Sequence, residues 1–138
     1  MIITPPPALR KRRYTQLHGS SDALALARLV QDAKPLIVVC ASALDAQRMC
    51  EEIPYFAPGL AVNLLPDWET LPYDSFSPHH DLISERLATL YAITRGSCDL
   101  TLIPASTALY RLAPPSYLAA YTFFLKQDEK FSLPQLRA

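Results

Sequence analysis

Three short apolar runs, each separated from the next by a segment of helical period, constrain this chain more than any other feature. Leu36–Cys40 is an unbroken apolar stretch of the length expected for a strand buried on both faces. Residues 60–65 and 99–103 read as two further strands. Ahead of the first run, Ser20 or Ser21 suits the N-cap of an Ala- and Leu-rich helix reaching about Ala33. After it, Ser42 followed by Asp45 makes a variant capping box. That helix carries Ala46, Met49, Cys50 and Ile53 at i, i+3, i+4 and i+7, and Pro58-Gly59 closes it. Strands separated by single helices call for right-handed crossovers. The expected fold class is therefore α/β: three layers, a mainly parallel sheet and helices on both faces.

The longest helix is expected after residue 77, with Ser77 as N-cap and Pro78 at the first helical position, where a missing N–H costs nothing. Leu82, Ile83, Leu87, Leu90 and Tyr91 form its apolar face, and Asp81, Glu85 and Arg86 are assigned to the opposite, charged side. Gly96 is its expected stop. Ser106 suits the cap of a short helix that Pro114-Pro115 would end. Residues 121–126 read as one more strand. The final residues, from Phe131, look like a helix start with its cap at Ser132 but no body, so the chain is expected to stop inside a domain.

Half of the 138 residues are apolar, enough for one core and one domain. Thirteen basic residues balance thirteen acidic ones, so the overall charge calls for neither nucleic acid nor an anionic membrane. The exception is local. Arg10, Lys11, Arg12 and Arg13 follow Pro5-Pro-Pro7 and read as an extended, solvated basic arm, or as an arm that contacts phosphates. No segment approaches the roughly 20 apolar residues of a membrane span, and the start lacks a signal-peptide core, so a cytoplasmic location is expected. Cys40, Cys50 and Cys98 are odd in number and widely spaced, as free thiols would be. His79-His80-Asp81 offers too few spaced ligands for zinc, and no metal is expected.

Between the second strand and the long helix lies a loop rich in prolines and aromatics: Pro66, Pro72 and Pro78 with Trp68, Tyr73 and Phe76. Fixed φ angles stiffen it, and aromatic burial would pin it. Two readings stay open. Trp68, Tyr73 and Phe76 can cover the end of the sheet while Asp67 and Asp74 make local turn hydrogen bonds. Alternatively Asp67, Trp68, Glu69, Tyr73, Asp74, Phe76, Asp81 and Arg86 form a docking surface, since exposed aromatics among charges suit an interface centre.

This loop and helix resemble the signature D-W-E-T-L-P-Y-D-x-F-S-P-H-x-D-x-I-S-x-R-L-x-T-L-Y of the bacterial transcription-repair coupling factor (Mfd) family, and the similarity extends over roughly residues 15–138. The resemblance implies a UvrB-like module: residues 1–14 as the basic arm, 15–118 as a degenerate RecA-like half-domain, and 119–138 as the truncated start of an inserted domain that contacts UvrA. Partners would be the other domains of the parent protein, with UvrA reached mainly through the missing part of the inserted domain. RNA polymerase and DNA would be engaged only by absent domains. The parent would be an ATP-dependent DNA translocase, and this piece a non-catalytic scaffold without cofactor. In UvrB the corresponding region handles damaged DNA through a protruding hairpin, for which this chain has no room between Leu65 and Ser77.

A phosphate-binding loop needs G-x-x-x-x-G-K-S/T, so that backbone N–H groups and a lysine meet the phosphates. At the turn expected to lead from a strand into the first helix, this chain has Gly19, Ser20, Ser21 and Asp22. Matched to the loop of UvrB-like ATPases, Ser21 replaces the second glycine and Asp22 the lysine, so ATP should not bind. Cys40 precedes a helix start as a nucleophilic thiol would, but the phosphatase arginine six residues on is Ala46, with Arg48 two residues late, so a buried thiol is the better reading. The alternative function is a stand-alone small α/β domain holding a nucleotide or phosphorylated ligand at residues 20–22. A third is single-stranded nucleic-acid binding by the arm and the loop aromatics.

Overall fold

The three apolar runs do become strands, and they pair in one parallel sheet. In the computed structural model, residue 11, residues 13–70 and residues 73–121 are described, without the side chains of 119–121. The elements in order are α1 (Ser21–Asp32), β1 (Leu36–Cys40), α2 (Ala43–Phe56), β2 (Val62–Leu64), α3 (His80–Arg95), β3 (Leu100–Pro104), α4 (Ala105–Ala108) and α5 (Pro115–Tyr121). The sheet order is β1-β3-β2, both pairings parallel, with Leu36 and Val62 opposite Leu100, and Val38 and Leu64 opposite Leu102. β2 is shorter than the apolar run suggested. Asp99 accounts for this: its carboxylate accepts the Ala61 N–H at 3.1 Å and its own N–H donates to Ala61 O at 2.9 Å, while Val62 N–H turns back to Leu60 O.

Period-2 alternation sorts the strand residues onto two faces. One face, with Leu36, Val38, Cys40, Leu100, Leu102, Val62 and Leu64, packs on α1 and α2 through Ala23, Ala27, Val30, Ala46, Met49, Cys50 and Ile53. The other is open over β1, where Ile37 and Val39 are 57% and 58% exposed. α3 reaches β2 through Thr89. There Thr89 Oγ1 donates to Leu64 O at 3.0 Å, while the neighbouring Leu65 N–H donates to Leu102 O.

Local chemistry explains where each helix starts and stops. Ser42 Oγ accepts the Asp45 N–H at 3.1 Å, the N-cap half of a capping box, and its hydroxyl donates to the Asp45 carboxylate at 2.8 Å. Gly96, at φ +63°, ends α3 in the left-handed conformation, with the Ser97 N–H on Ala92 O and its own N–H on Ile93 O. The start of α3 differs from the sequence reading. Ser77 and Pro78 stay outside it, and His79 is the N-cap: its ring Nδ1 takes the Asp81 N–H at 3.3 Å, the role assigned to a serine hydroxyl. The second difference is Pro115, which opens a helix instead of ending one. As the first residue of α5 it loses no hydrogen bond, and Pro114 O accepts the N–H groups of Tyr117 and Leu118. Pro104, not Ser106, is the N-cap of α4. Tyr121 closes α5 and is not the first residue of a strand; residues 122–126, like the helix start from Phe131, lie outside the described residues. Among the described residues no helix is long and apolar enough to cross a membrane, and no group of three or more metal-binding side chains occurs.

Candidate functional site

Two places carry the predicted site residues: the start of α1 and the loop that joins β2 to α3. Gly19 and Ser20 form a turn, Gly19 with φ +56°, and α1 begins at Ser21. Residues 13–18 ahead of the turn are irregular, so no strand feeds this helix start as expected. The Ser20 side chain makes no cap bond, and Ser21 Oγ donates to His18 O at 2.7 Å. Asp22 neither caps the helix from outside nor faces open solvent. Its two carboxylate oxygens receive Arg48 Nη2 at 2.7 Å and Nη1 at 3.3 Å, and Oδ1 also accepts the Ala23 N–H at 2.8 Å. Arg48 Nη1 additionally donates to Glu52 Oε2 at 2.8 Å, one helical turn on.

The Arg48 hydrogen bonds hold the Asp22 carboxyl below its ordinary value, and Asp22 in turn raises the Arg48 guanidinium. An arriving phosphate would meet a carboxylate already joined to the helix behind it. Because the Asp22 pKa is depressed on folding, its stabilising contribution is complete above the ordinary carboxylate value near 3.8 and fades as pH falls through the lower, folded value. We therefore expect Asp22→Asn to lower the urea midpoint at pH 7, and the gap from the parent chain to narrow as pH falls below 3.8. Asp22→Lys should lower the midpoint at pH 7 further, and Asp22→Lys with Arg48→Asp should recover part of that loss. An additive double variant would refute the pairing.

The second site is built around Arg86. The sequence reading placed this residue on the charged outer face of α3, and the structure corrects that: Arg86 is 2% exposed and, with Thr89, is the most deeply buried residue of the helix. Its partners explain the inversion. Nη1 donates to Pro66 O, and the guanidinium carbon stands 4.1 Å from the centre of the Trp68 ring. Burial pushes the Arg86 pKa down, and the nearby Asp67 charge opposes that shift. Asp67 fastens the loop twice more, accepting the Trp68 N–H at 2.8 Å on Oδ1 and the Ser106 hydroxyl at 2.6 Å on Oδ2. The hydrogen bond to Ser106 ties the loop after β2 to α4, which follows β3. Ser106 was legible only as a helix cap, and nothing in the spacing of Asp67 and Ser106 announces their contact.

The loop aromatics divide. Trp68 is half-buried under Arg86, whereas Tyr73 is fully exposed and Phe76 is 79% exposed, so aromatic burial pins the loop at Trp68 and not at the other two. Glu69 (φ +57°) and Tyr73 (φ +74°) adopt the left-handed region, which L side chains avoid. Trp68, Tyr73, Asp74, Phe76 and Pro78 line a cleft of about 360 Å³ with Tyr110, a residue that no sequence signal had joined to them. Asp81 stands apart at the exposed start of α3, its carboxylate 3.4 Å from His79 Nδ1. Glu69 faces the other way, into a groove of about 740 Å³ between α2, β2 and α3 that Glu51 and Glu85 also line. Cys40, the nucleophile candidate, is buried 3.9 Å from Met49 Sδ, and burial pushes its thiol pKa up, which disfavours the thiolate.

No protein-family model matches the chain. Against curated proteins it is 35% identical to the transcription-repair-coupling factor of Escherichia coli K12 over 134 residues, which is 96% of this chain and 12% of that protein. It is 36% identical over 121 residues to the same factor of Haemophilus influenzae Rd, covering 85% of this chain and 10% of that protein. With the factor of Mycobacterium tuberculosis it shares 36% identity over 81 residues, 59% of the chain and 6% of the relative. Similarity of this extent, over nearly the whole chain, places it in the transcription-repair-coupling factor family, as the counterpart of one segment of those longer proteins.

Proposed function

We propose that the chain is a non-catalytic scaffold part of a transcription-repair coupling factor. In this reading residues 15–118 are a degenerate RecA-like half-domain, residues 1–14 a basic arm, and residues 119–138 the start of an inserted domain whose continuation contacts UvrA. The complete protein, in the cytoplasm, would remove stalled RNA polymerase with an ATP-driven DNA translocase and recruit UvrA for nucleotide-excision repair.

The observation that carries the non-catalytic part is Asp22. In the match of residues 19–22 to the phosphate loop of UvrB-like ATPases it stands where the lysine would be, and its carboxylate is taken up by Arg48. Close approach of an ATP phosphate would add a like charge to this pair and compete for Arg48, so the fold is kept while the ligand chemistry is not. The parallel sheet and the Asp67 to Ser106 tie leave the chain suited to presenting surfaces to other domains.

A pull-down with UvrA tests the scaffold reading, using this chain beside a version extended through the inserted domain, with both checked for folding by circular dichroism. The expected outcome is capture by the extended version alone. Equal capture by this chain would move the contact into residues 1–138. Millimolar Mg-ATP should leave the thermal midpoint unchanged; a saturable rise would favour the alternative, a nucleotide site at residues 20–22.

A further inference from the structure

We propose that the groove between α2, β2 and α3 docks an extended, basic segment of a partner polypeptide, laid beside β2 with its lysine or arginine side chains at Glu51, Glu69 and Glu85. The groove encloses about 740 Å³, and all three residues of β2 line it. In the sheet order β1-β3-β2 that strand ends the sheet, with β3 its only strand neighbour among the described residues. An end strand is paired on one side only, which is where extended segments add to a sheet. Leu64 O is already taken by Thr89 Oγ1, so the side chains of the incoming segment, more than main-chain pairing, decide its fit. Val62, Leu64 and Leu82, all half-buried, supply apolar surface for its uncharged residues.

The lining carries charge of one sign. Glu51 on α2, Glu69 on the loop and Glu85 on α3 line the groove, all three exposed, and no described lysine, arginine or histidine does. None of the three carboxylates has an ion pair or a side-chain hydrogen bond with a described residue. Arg86 does not neutralise them from behind, because it is engaged by Pro66 O, the Trp68 ring and the nearby Asp67. Burial pushes the Cys50 thiol up, and the charges of Glu51 and Glu85 push the same way, so both carboxylates stand close to the part of the groove that Cys50 lines.

The spread of these charges selects the occupant. They stand on three different elements and do not close on a single ion: among the described residues no group of three or more His, Cys, Asp or Glu side chains could hold a metal. Separate carboxylates along an apolar groove suit several spaced cations carried on one chain, whereas the phosphates of a nucleic-acid strand would be repelled by each of them.

The probe is a dansylated peptide of alternating lysine and valine, and its fluorescence anisotropy is followed as the full chain is added. The expected result is saturable binding that weakens about tenfold when Glu51→Gln, Glu69→Gln and Glu85→Gln are combined, the sum of three exposed ion pairs. Binding should also fall steeply as salt is raised to about 1 M, where the Debye length is about 3 Å. Alkylating Cys50 with N-ethylmaleimide should abolish it, because the adduct occupies the groove; Cys40 and Cys98 are buried, and mass spectrometry checks that a single adduct forms. The salt and alkylation arms use the unmodified sequence, so they stand whether or not a variant folds. No saturable binding, or binding that the triple variant or the alkylated chain retains in full, would overturn the proposal. Equal binding of an alternating glutamate and valine peptide would reduce the groove to an apolar surface, and displacement of the probe by micromolar calcium would assign the carboxylates to a metal ion; either result rejects the docking stated here.

Discussion

Replacing Arg86 with alanine is expected to lower the stability of the fold by about 3 kcal/mol, a fall of roughly 10 °C in thermal midpoint for a chain of this size. The estimate rests on what the side chain touches. Removing it takes the guanidinium donor from Pro66 O, strips the Trp68 ring of a desolvated cation 4.1 Å away, and empties the volume of a long aliphatic stem. Two facts keep the figure below that for breaking a fully buried ion pair. Arg86 Nε is buried without a hydrogen-bond partner, so part of the desolvation cost disappears with the residue. Asp67, left behind, still has the Ser106 hydroxyl and the Trp68 N–H. Arg86→Lys should recover less than half of the loss, because an ammonium cannot lie flat on the indole. Urea denaturation followed by circular dichroism measures both variants. A change for Arg86→Ala within about 0.5 kcal/mol, the range of an ordinary surface substitution, would mean the residue is not part of the core.

Arg86 also shows where sequence reasoning stopped short. Its spacing from Leu82 and Thr89 places it on the inward face, yet its charge assigned it outward, because the compensating partners lie eighteen and twenty residues earlier in the loop. Local signals fared better. β1, the Ser42 N-cap, the inward face of α2 and the Gly96 stop could all be read from neighbouring residues, since each is decided within one or two turns of chain. Pairings across the fold could not. The acid at position 22 was visible, but Arg48, twenty-six residues on, was noticed only as a misplaced phosphatase arginine. The exposure of Tyr73 was hidden as well, because an aromatic residue is by default a burial signal and nothing nearby marks the left-handed backbone it adopts.

The second large effect is expected at the centre of the sheet, and it separates support of the loop from support of the fold. Leu102 is fully buried in β3, with Val38 and Leu64 as its register partners on either side. Leu102→Ala should cost about 3 to 4 kcal/mol, combining the lost transfer free energy with a cavity that three paired strands cannot collapse. The backbone oxygen of Leu102, which receives the Leu65 N–H at 2.9 Å where the signature loop begins, survives the substitution. The two variants should therefore differ in the native state while both are weakened. Under native conditions Arg86→Ala should shift and broaden the Trp68 emission, because it removes the group that covers the ring, whereas Leu102→Ala should leave that spectrum unchanged and lower only the denaturation midpoint. An altered native Trp68 spectrum in Leu102→Ala would show that the loop takes its position from sheet packing and not from the contacts of Asp67 and Arg86.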